Sequence, residues 1–142
     1  MARNLRLFYL GWFGIISAAI VLQFYLAGYG VFGFNGLNGF GAHLVVGDLI
    51  GIAILIGIGL AFAARVPWRI TGINGALLVL MAIQAALAYA TVQGISALHV
   101  VNGVLVFAVT LYLTKEARKL TLLDRAAAPQ PEPAGGAANS KS

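Results

Sequence analysis

Two five-residue stretches with the same outline, HLVVG at 43–47 and HVVNG at 99–103, contain the only two histidines of the chain. Each histidine opens a long apolar run, and each is followed by a glycine four residues later. Apolar runs of about 20 residues are long enough to cross the hydrocarbon core of a bilayer as helices. The two stretches therefore predict two membrane-spanning helices, each with a histidine in its first turn.

The composition of the whole chain agrees with a membrane environment. Of its 142 residues, 61% are hydrophobic and only 9% are charged, and the mean hydropathy is +0.92. A soluble domain would carry roughly 25% charged residues. The absence of cysteine excludes thiolate metal sites, covalent c-type haem attachment and a lipid anchor on cysteine.

The remaining apolar runs complete a set of four predicted spans, at about 7–30, 43–64, 70–92 and 97–114. The connection at 30–42 holds five glycines and two asparagines without a charge, which predicts a loop. This loop is either a simple connector at the membrane surface or a lid over a pocket. We therefore expect an all-α membrane protein.

Residues 1–125 are expected to form a four-helix transmembrane bundle with up-down-up-down topology. The tail at 126–142 is rich in proline, alanine and glycine and has no apolar periodicity, so we expect it to be disordered.

The basic residues predict the orientation of the bundle. All nine lysines and arginines lie in the N-terminal segment, the second connection or the C-terminal region, and the first and third connections have none. The positive-inside rule then places both termini in the cytoplasm and both histidines near the outer face. Because these basic residues flank apolar segments, the net charge of +5 indicates membrane orientation and not nucleic-acid binding.

A partial internal repeat relates the two halves of the chain. Gln23 and Gln84 are each followed by Leu-Ala at the third and fourth positions after them, and His43 matches His99. Two helical hairpins inserted with the same polarity are related by an axis along the membrane normal. The repeat therefore predicts that the two histidines lie at similar depth on opposite sides of the bundle centre.

The two histidines are candidate axial ligands of a haem. An ionisable side chain inside a span is a functional candidate, because burying it unpaired is costly. Imidazole is a common ligand of haem iron, and cofactors are held between the helices of bundles. We therefore predict that His43 and His99 bind the iron of haem b.

Small and polar neighbours of the histidines are candidate contacts of the same cofactor. Glycine at i+4 lies on the histidine's own face of the helix, where the missing side chain leaves room for a flat porphyrin. Gly47, Gly51 and Gly103 are predicted to serve in this way, and Asn102, one turn from His99, is predicted to orient a ligand or a propionate.

Other interpretations of the histidines and of the remaining polar residues stay open. The histidines could bind to loops and water at the interface, or form a different metal site or a quinone site. Gln23 and Gln84 are expected to form hydrogen bonds between helices. Asp48, the carboxylate within a span, points about 140° away from His43 and could pair with a neighbouring helix or assist proton movement.

The segments LQFYLAGYGVFG, AHLVVGDLIGI and SALHVVNGVLVF make the chain similar to an uncharacterised family of small bacterial four-span membrane proteins. The arrangement also resembles one four-helix half of haem A synthase and, more loosely, b-type cytochrome membrane modules. This resemblance implies that His43 and His99 ligate haem near the outer face of a bacterial inner membrane. Because the first connection lacks the glutamate of the synthase, it implies haem ligation and not synthase chemistry.

The expected function is a small b-type cytochrome or haem-carrying subunit that transfers electrons and has no catalytic residues or enzyme activity of its own. Its expected partners are the lipid bilayer, a quinone or a respiratory membrane protein, and other subunits of a homo- or hetero-oligomer. The main alternative is a cofactor-free structural or assembly subunit, favoured by the abundance of glycine and alanine. A transporter, resting on Asp48, is a third interpretation.

Overall fold

The structure is a computed structural model, and it describes residues 2–33, 40–90, 92, 94–95 and 97–127. These residues form four helices, and the described part of the chain contains no strand. The helices are α1 (Ala2–Phe32), α2 (Gly41–Ala63), α3 (Trp68–Ala88) and α4 (Leu98–Ala126). All four are long and apolar enough to cross a membrane. The predicted all-α membrane fold is confirmed, whereas most of the expected lid and the expected disordered tail from residue 128 lie outside the described residues.

The four helices pack in a ring. Helix α1 contacts α2 and α4, and α3 contacts the same two helices, so α2 and α4 face each other along a diagonal. Each helix contributes at least one fully buried apolar side chain to the core, among them Phe13, Ile54, Leu77 and Leu113. The outward faces of the helices are lined by exposed leucine, isoleucine and valine side chains, as expected of surfaces that contact lipid.

The turn between α2 and α3 is tight because α2 ends in a Schellman motif. The Val66 N–H donates to Ala61 O at 2.9 Å, and the Arg65 N–H donates to Phe62 O at 3.1 Å. Arg65 occupies the left-handed position, with φ at 51°, where glycine is the usual residue. Pro67 is the N-cap of α3, so the turn fits the short gap between the predicted spans at 43–64 and 70–92.

Arg6 joins three elements at this end of the bundle. Its Nη1 donates to Asp124 Oδ1 at 2.8 Å near the end of α4. Its Nε and Nη2 donate to the carbonyl oxygens of Ala64 and Arg65, each at 3.3 Å. The start of α1, the end of α2 and the end of α4 are therefore level, and we call this the basic end of the bundle.

Helices α1 and α4 extend beyond the predicted apolar spans toward the basic end, since nothing in their sequence stops a helix once it leaves the lipid. Helix α3 is shorter than predicted and ends at Ala88 rather than near residue 92. Thr91 and Val92 are β-branched, which lowers helix propensity, and Gly94 adopts a φ of +89° in the turn that follows.

Candidate functional site

The two histidines lie side by side at the end of the bundle opposite the basic end. His43 is in the first turn of α2, and His99 is in the first turn of α4, the helix diagonally opposite. Their ring centroids are 6.1 Å apart, and the ring planes are inclined by 59°. The structure thus brings together two side chains that are far apart in sequence and places them at the same depth.

Each imidazole is held by the backbone of a glutamine on a neighbouring helix. His43 Nδ1 lies 3.2 Å from Gln23 O, and His99 Nδ1 lies 3.0 Å from Gln84 O. A carbonyl oxygen only accepts, so the neutral tautomer that fits these contacts has its proton on Nδ1 and its lone pair on Nε2 in both rings. Metal-binding histidines are commonly oriented by this kind of bond. The equivalent bonds also relate the two halves of the chain as the sequence repeat predicts.

A second set of bonds fixes the His99 ring independently. Asn102 Nδ2 donates to Leu80 O at 2.9 Å and to Gln84 Oε1 at 2.7 Å. The Gln84 amide is thereby turned so that its Nε2 lies 3.1 Å from His99 Nε2. Because this amide nitrogen donates, His99 Nε2 accepts, and the same tautomer follows from both sides of the ring.

The first half of the repeat lacks this second set of bonds, because Val46 stands where the other half has Asn102. Here Gln23 Nε2 donates to the backbone oxygen of His43 at 2.9 Å and does not contact the ring nitrogen. Gln23 Oε1 is buried without a hydrogen-bond partner in the described part of the chain. The two histidines are therefore alike at Nδ1 and different at Nε2.

The glycines that follow the histidines face glutamine amides. A Cβ atom added at Gly47 would lie 2.8 Å from Gln23 Nε2, and one added at Gly103 would lie 3.3 Å from Gln84 Nε2. A Cβ at Gly51 would meet only the terminal methyl of Met81, at 3.9 Å. The sequence predicted that a porphyrin would lie against these three glycines. In the structure, glutamine side-chain amides lie against Gly47 and Gly103, and a methionine lies against Gly51.

Aromatic rings lie against His43 and close to Gly103. Phe40, the residue just before α2, packs edge-on against His43 with centroids 6.2 Å apart. Gly30 makes this possible, since a Cβ there would lie 2.7 Å from the Phe40 ring. Phe24 and Phe107 form a further edge-on pair with centroids 5.8 Å apart. Phe24 also lies close to Gly103, since a Cβ added at Gly103 would be 3.8 Å from the Phe24 ring.

Asp48 lies outside this site. Its side chain is on the exposed surface of α2 and makes no hydrogen bond or ion pair with another described residue. Sequence reasoning placed Gln84 between helices but missed its two contacts with His99. The occurrence of one glutamine and one histidine in each half of the repeat was the signal that could have revealed them.

Comparison with known proteins gives one family. Residues 23–94 match the family of unknown function DUF6220. Since this match spans half of the chain, the protein belongs to that family. The matched segment includes Gln23, His43 and Gln84 and ends before His99. No curated protein and no solved structure matches the chain.

Proposed function

We propose that this member of the DUF6220 family is a small b-type cytochrome, with haem b held between α2 and α4 by His43 and His99. The observation that carries the proposal is the 6.1 Å spacing of the two imidazole rings. Two metal–nitrogen bonds of about 2 Å and two ring radii of about 1.1 Å would place axial imidazoles about 6 Å apart. The observed distance between the ring centroids agrees with this value, which supports the proposal.

The number of donor groups favours haem over a bare metal ion. Within the described residues, no third histidine, cysteine, aspartate or glutamate joins the pair to form a metal-binding group. A bare transition-metal ion usually needs three or four protein ligands, whereas haem brings four nitrogens of its own and needs only two axial ligands.

The described residues prepare the two rings for this role. The carbonyl oxygens of Gln23 and Gln84 hold both imidazoles with the proton on Nδ1, so that the ligating nitrogen needs no deprotonation. Gln84 Nε2 would leave His99 Nε2 on binding, and Asn102 would keep hold of the Gln84 amide oxygen. Phe24, Phe40 and Phe107 would restrict water near the pair. When bound by two imidazoles, haem iron supplies one-electron transfer.

The location of the pair suits exchange of electrons at one membrane surface. Seventeen residues separate Arg6 from Gln23 along α1, a rise of about 26 Å at 1.5 Å per residue. The histidines would therefore lie near one face of a core about 30 Å thick, with the basic end at the other. We infer that the basic end is cytoplasmic and that a quinone or a respiratory membrane protein meets the outer face of a bacterial inner membrane. We further propose that histidines on the second and fourth helices ligate haem here as they do in one half of haem A synthase.

The proposal is tested by the absorption spectrum of the protein purified after expression with ample haem. We expect sharp bands in the dithionite-reduced state, and their loss in both His43→Ala and His99→Ala. A protein without haem absorption would contradict the proposal. Loss of the bands in only one of the two variants would contradict bis-histidine ligation.

A folding control accompanies these variants. His99→Gly leaves a space of imidazole size, so added imidazole should restore the bands if His99 is a ligand. Asp48→Asn is the matched control, because it removes the charge of a side chain on the same span that lies away from the rings, and its spectrum should equal that of the wild type.

One observation favours the alternative of a cofactor-free subunit in a larger complex. Asp48 lies exposed on a helix face whose neighbours Leu44, Val45, Leu49 and Ile52 are exposed as well. A charged carboxylate in a span is costly unless it has a partner, by about 2.5–3.5 kcal/mol at the bilayer centre and by less at the shallower depth of Asp48, five residues after His43. In Asp48→Leu, a partner subunit that contacts Asp48 should no longer copurify with the protein. The haem absorption spectrum is a separate measurement, and it decides between the two functions.

A further inference from the structure

We propose that the basic end of the bundle carries a binding site for the phosphate of an anionic phospholipid. A cavity of about 210 Å³ lies there between the start of α1 and the end of α4, lined by Arg3, Leu7, Thr121 and Arg125. It is far from the histidine pair and does not depend on the proposed haem function.

The positive charges of both cavity arginines are available to bind an anionic ligand. Neither Arg3 nor Arg125 forms an ion pair with another described residue. The nearest acidic side chain in sequence, Asp124, is engaged by Arg6 at 2.8 Å. Two guanidinium groups facing one small cavity match the geometry of a phosphate, which accepts paired N–H bonds from arginine.

The hydroxyl of Thr121 is not part of the recognition. Its Oγ1 donates to Arg118 O at 2.8 Å, and the residue is only 4% exposed. Thr121 therefore forms the floor of the cavity, and the two guanidinium groups supply the hydrogen bonds.

The surroundings of the cavity favour a lipid over a soluble phosphate. Leu7 lines it, and Leu122 and Leu123, 49% and 65% exposed, lie on the same last turns of α4. Exposed leucines beside arginines are the arrangement of a helix segment at the membrane interface, where arginine reaches the headgroups and leucine contacts the acyl chains. A phospholipid would place its phosphate between Arg3 and Arg125 and its glycerol and first methylenes along Leu7.

The experiment measures lipid retention by native mass spectrometry of the full-length protein in a neutral detergent. The protein is titrated with phosphatidylglycerol or with phosphatidylcholine of the same acyl chains. We expect the wild type to bind the first phosphatidylglycerol about ten- to thirtyfold more tightly than phosphatidylcholine, since each basic residue near an anionic lipid contributes about a factor of five.

The variant R3Q/R125Q should lose this preference. The matched control is R69Q/K115Q, which removes two charges from the same end of the bundle, outside the cavity, and should keep it. Equal losses in the two variants, or no preference in the wild type, would overturn the proposal. Helical circular dichroism should be the same in all three proteins, because none of the four replaced side chains makes a hydrogen bond to another described residue.

A further arm separates the two sources of phosphate. Inorganic phosphate at millimolar concentration should leave the bound phosphatidylglycerol in place, because it lacks the contacts with Leu7 and its neighbours. If inorganic phosphate displaces the lipid completely, the site takes free phosphate and the lipid assignment is wrong.

Discussion

Gln84 binds His99 at both nitrogens of the ring, with its backbone oxygen 3.0 Å from Nδ1 and its side-chain Nε2 3.1 Å from Nε2. One residue of α3 thus sets the orientation and the tautomer of a residue on α4. Asn102 stabilises this arrangement, because it donates to the Gln84 amide oxygen and to Leu80 O. In the other half of the bundle, the His43 ring is bonded to the described residues only at Nδ1.

Asn102→Leu should destabilise the bundle. It leaves the Gln84 amide oxygen without its donor in a partly buried place and removes the side-chain donor to Leu80 O, which costs about 1–3 kcal/mol in the free energy of unfolding. The measurement is equilibrium unfolding of the purified protein, followed by helical circular dichroism. Val46→Leu, at the matching position of the first half, is the control and should lose less stability, since no hydrogen bond is removed there. Similar losses in both would mean that the Asn102 bonds contribute nothing.

Gly30→Ala should make the His43 ring more accessible to a chemical reagent. The new Cβ would lie 2.7 Å from the Phe40 ring, so Phe40 has to leave its edge-on contact with the imidazole. We expect the rate of His43 modification by diethylpyrocarbonate, measured by peptide mass spectrometry, to rise severalfold. His99 in the same sample is the internal reference, and Gly28→Ala is the control because a Cβ there meets nothing within 4 Å. An unchanged rate would show that Phe40 does not shield the ring.

Gly57→Ala should lower stability at the middle of the bundle. The added methyl would lie 3.0 and 3.1 Å from two atoms of the fully buried Phe13 ring and 3.4 Å from Asn74 Nδ2. Overpacking of this kind costs about 1–3 kcal/mol. Gly59→Ala meets nothing within 4 Å on the same helix, so it should be neutral or slightly stabilising. Melting temperatures that fall equally in the two variants would exclude steric overlap as the cause.

Arg6→Gln should destabilise the basic end of the bundle. The change removes three hydrogen bonds and leaves Asp124, whose Oδ2 is already buried without a partner in the described part of the chain, with no counterion. We expect a loss of about 1–3 kcal/mol in the free energy of unfolding. Lys119→Gln breaks the ion pair between Glu116 and Lys119, whose side chain is 55% exposed. This change should lower the free energy of unfolding by no more than about 0.5 kcal/mol. If the two losses are the same, Arg6 acts only as a surface charge.

The fold was largely predictable because the patterns that specify it are local. Apolar length predicted the four helices and the short connection between the spans at 43–64 and 70–92, and the repeat related His43 to His99. The position of each histidine at the start of a helix was also clear, since a glycine-rich connection precedes the one and a short glycine-containing turn precedes the other.

The surroundings of the rings were less predictable, because they depend on which side chain a neighbouring helix presents. Helical spacing correctly put Gly47 on the face of His43, but it cannot tell whether a porphyrin or the amide of Gln23 lies against that glycine. Likewise, Asn102 was expected to orient a ligand, and its partner Gln84 lies on another helix at a height set by how α3 and α4 pack.

Arg6 and Asp124 are separated by 118 positions, nearly the full length of the helical part of the chain. A ribosome has therefore produced all four spans before this contact can form. Until then the first three helices reside in the bilayer as an open sector, with one flank of α1 facing lipid where α4 will later pack. Assembly should consequently finish as a single late closure, and a chain truncated before α4 should remain available to quality-control proteases in the membrane.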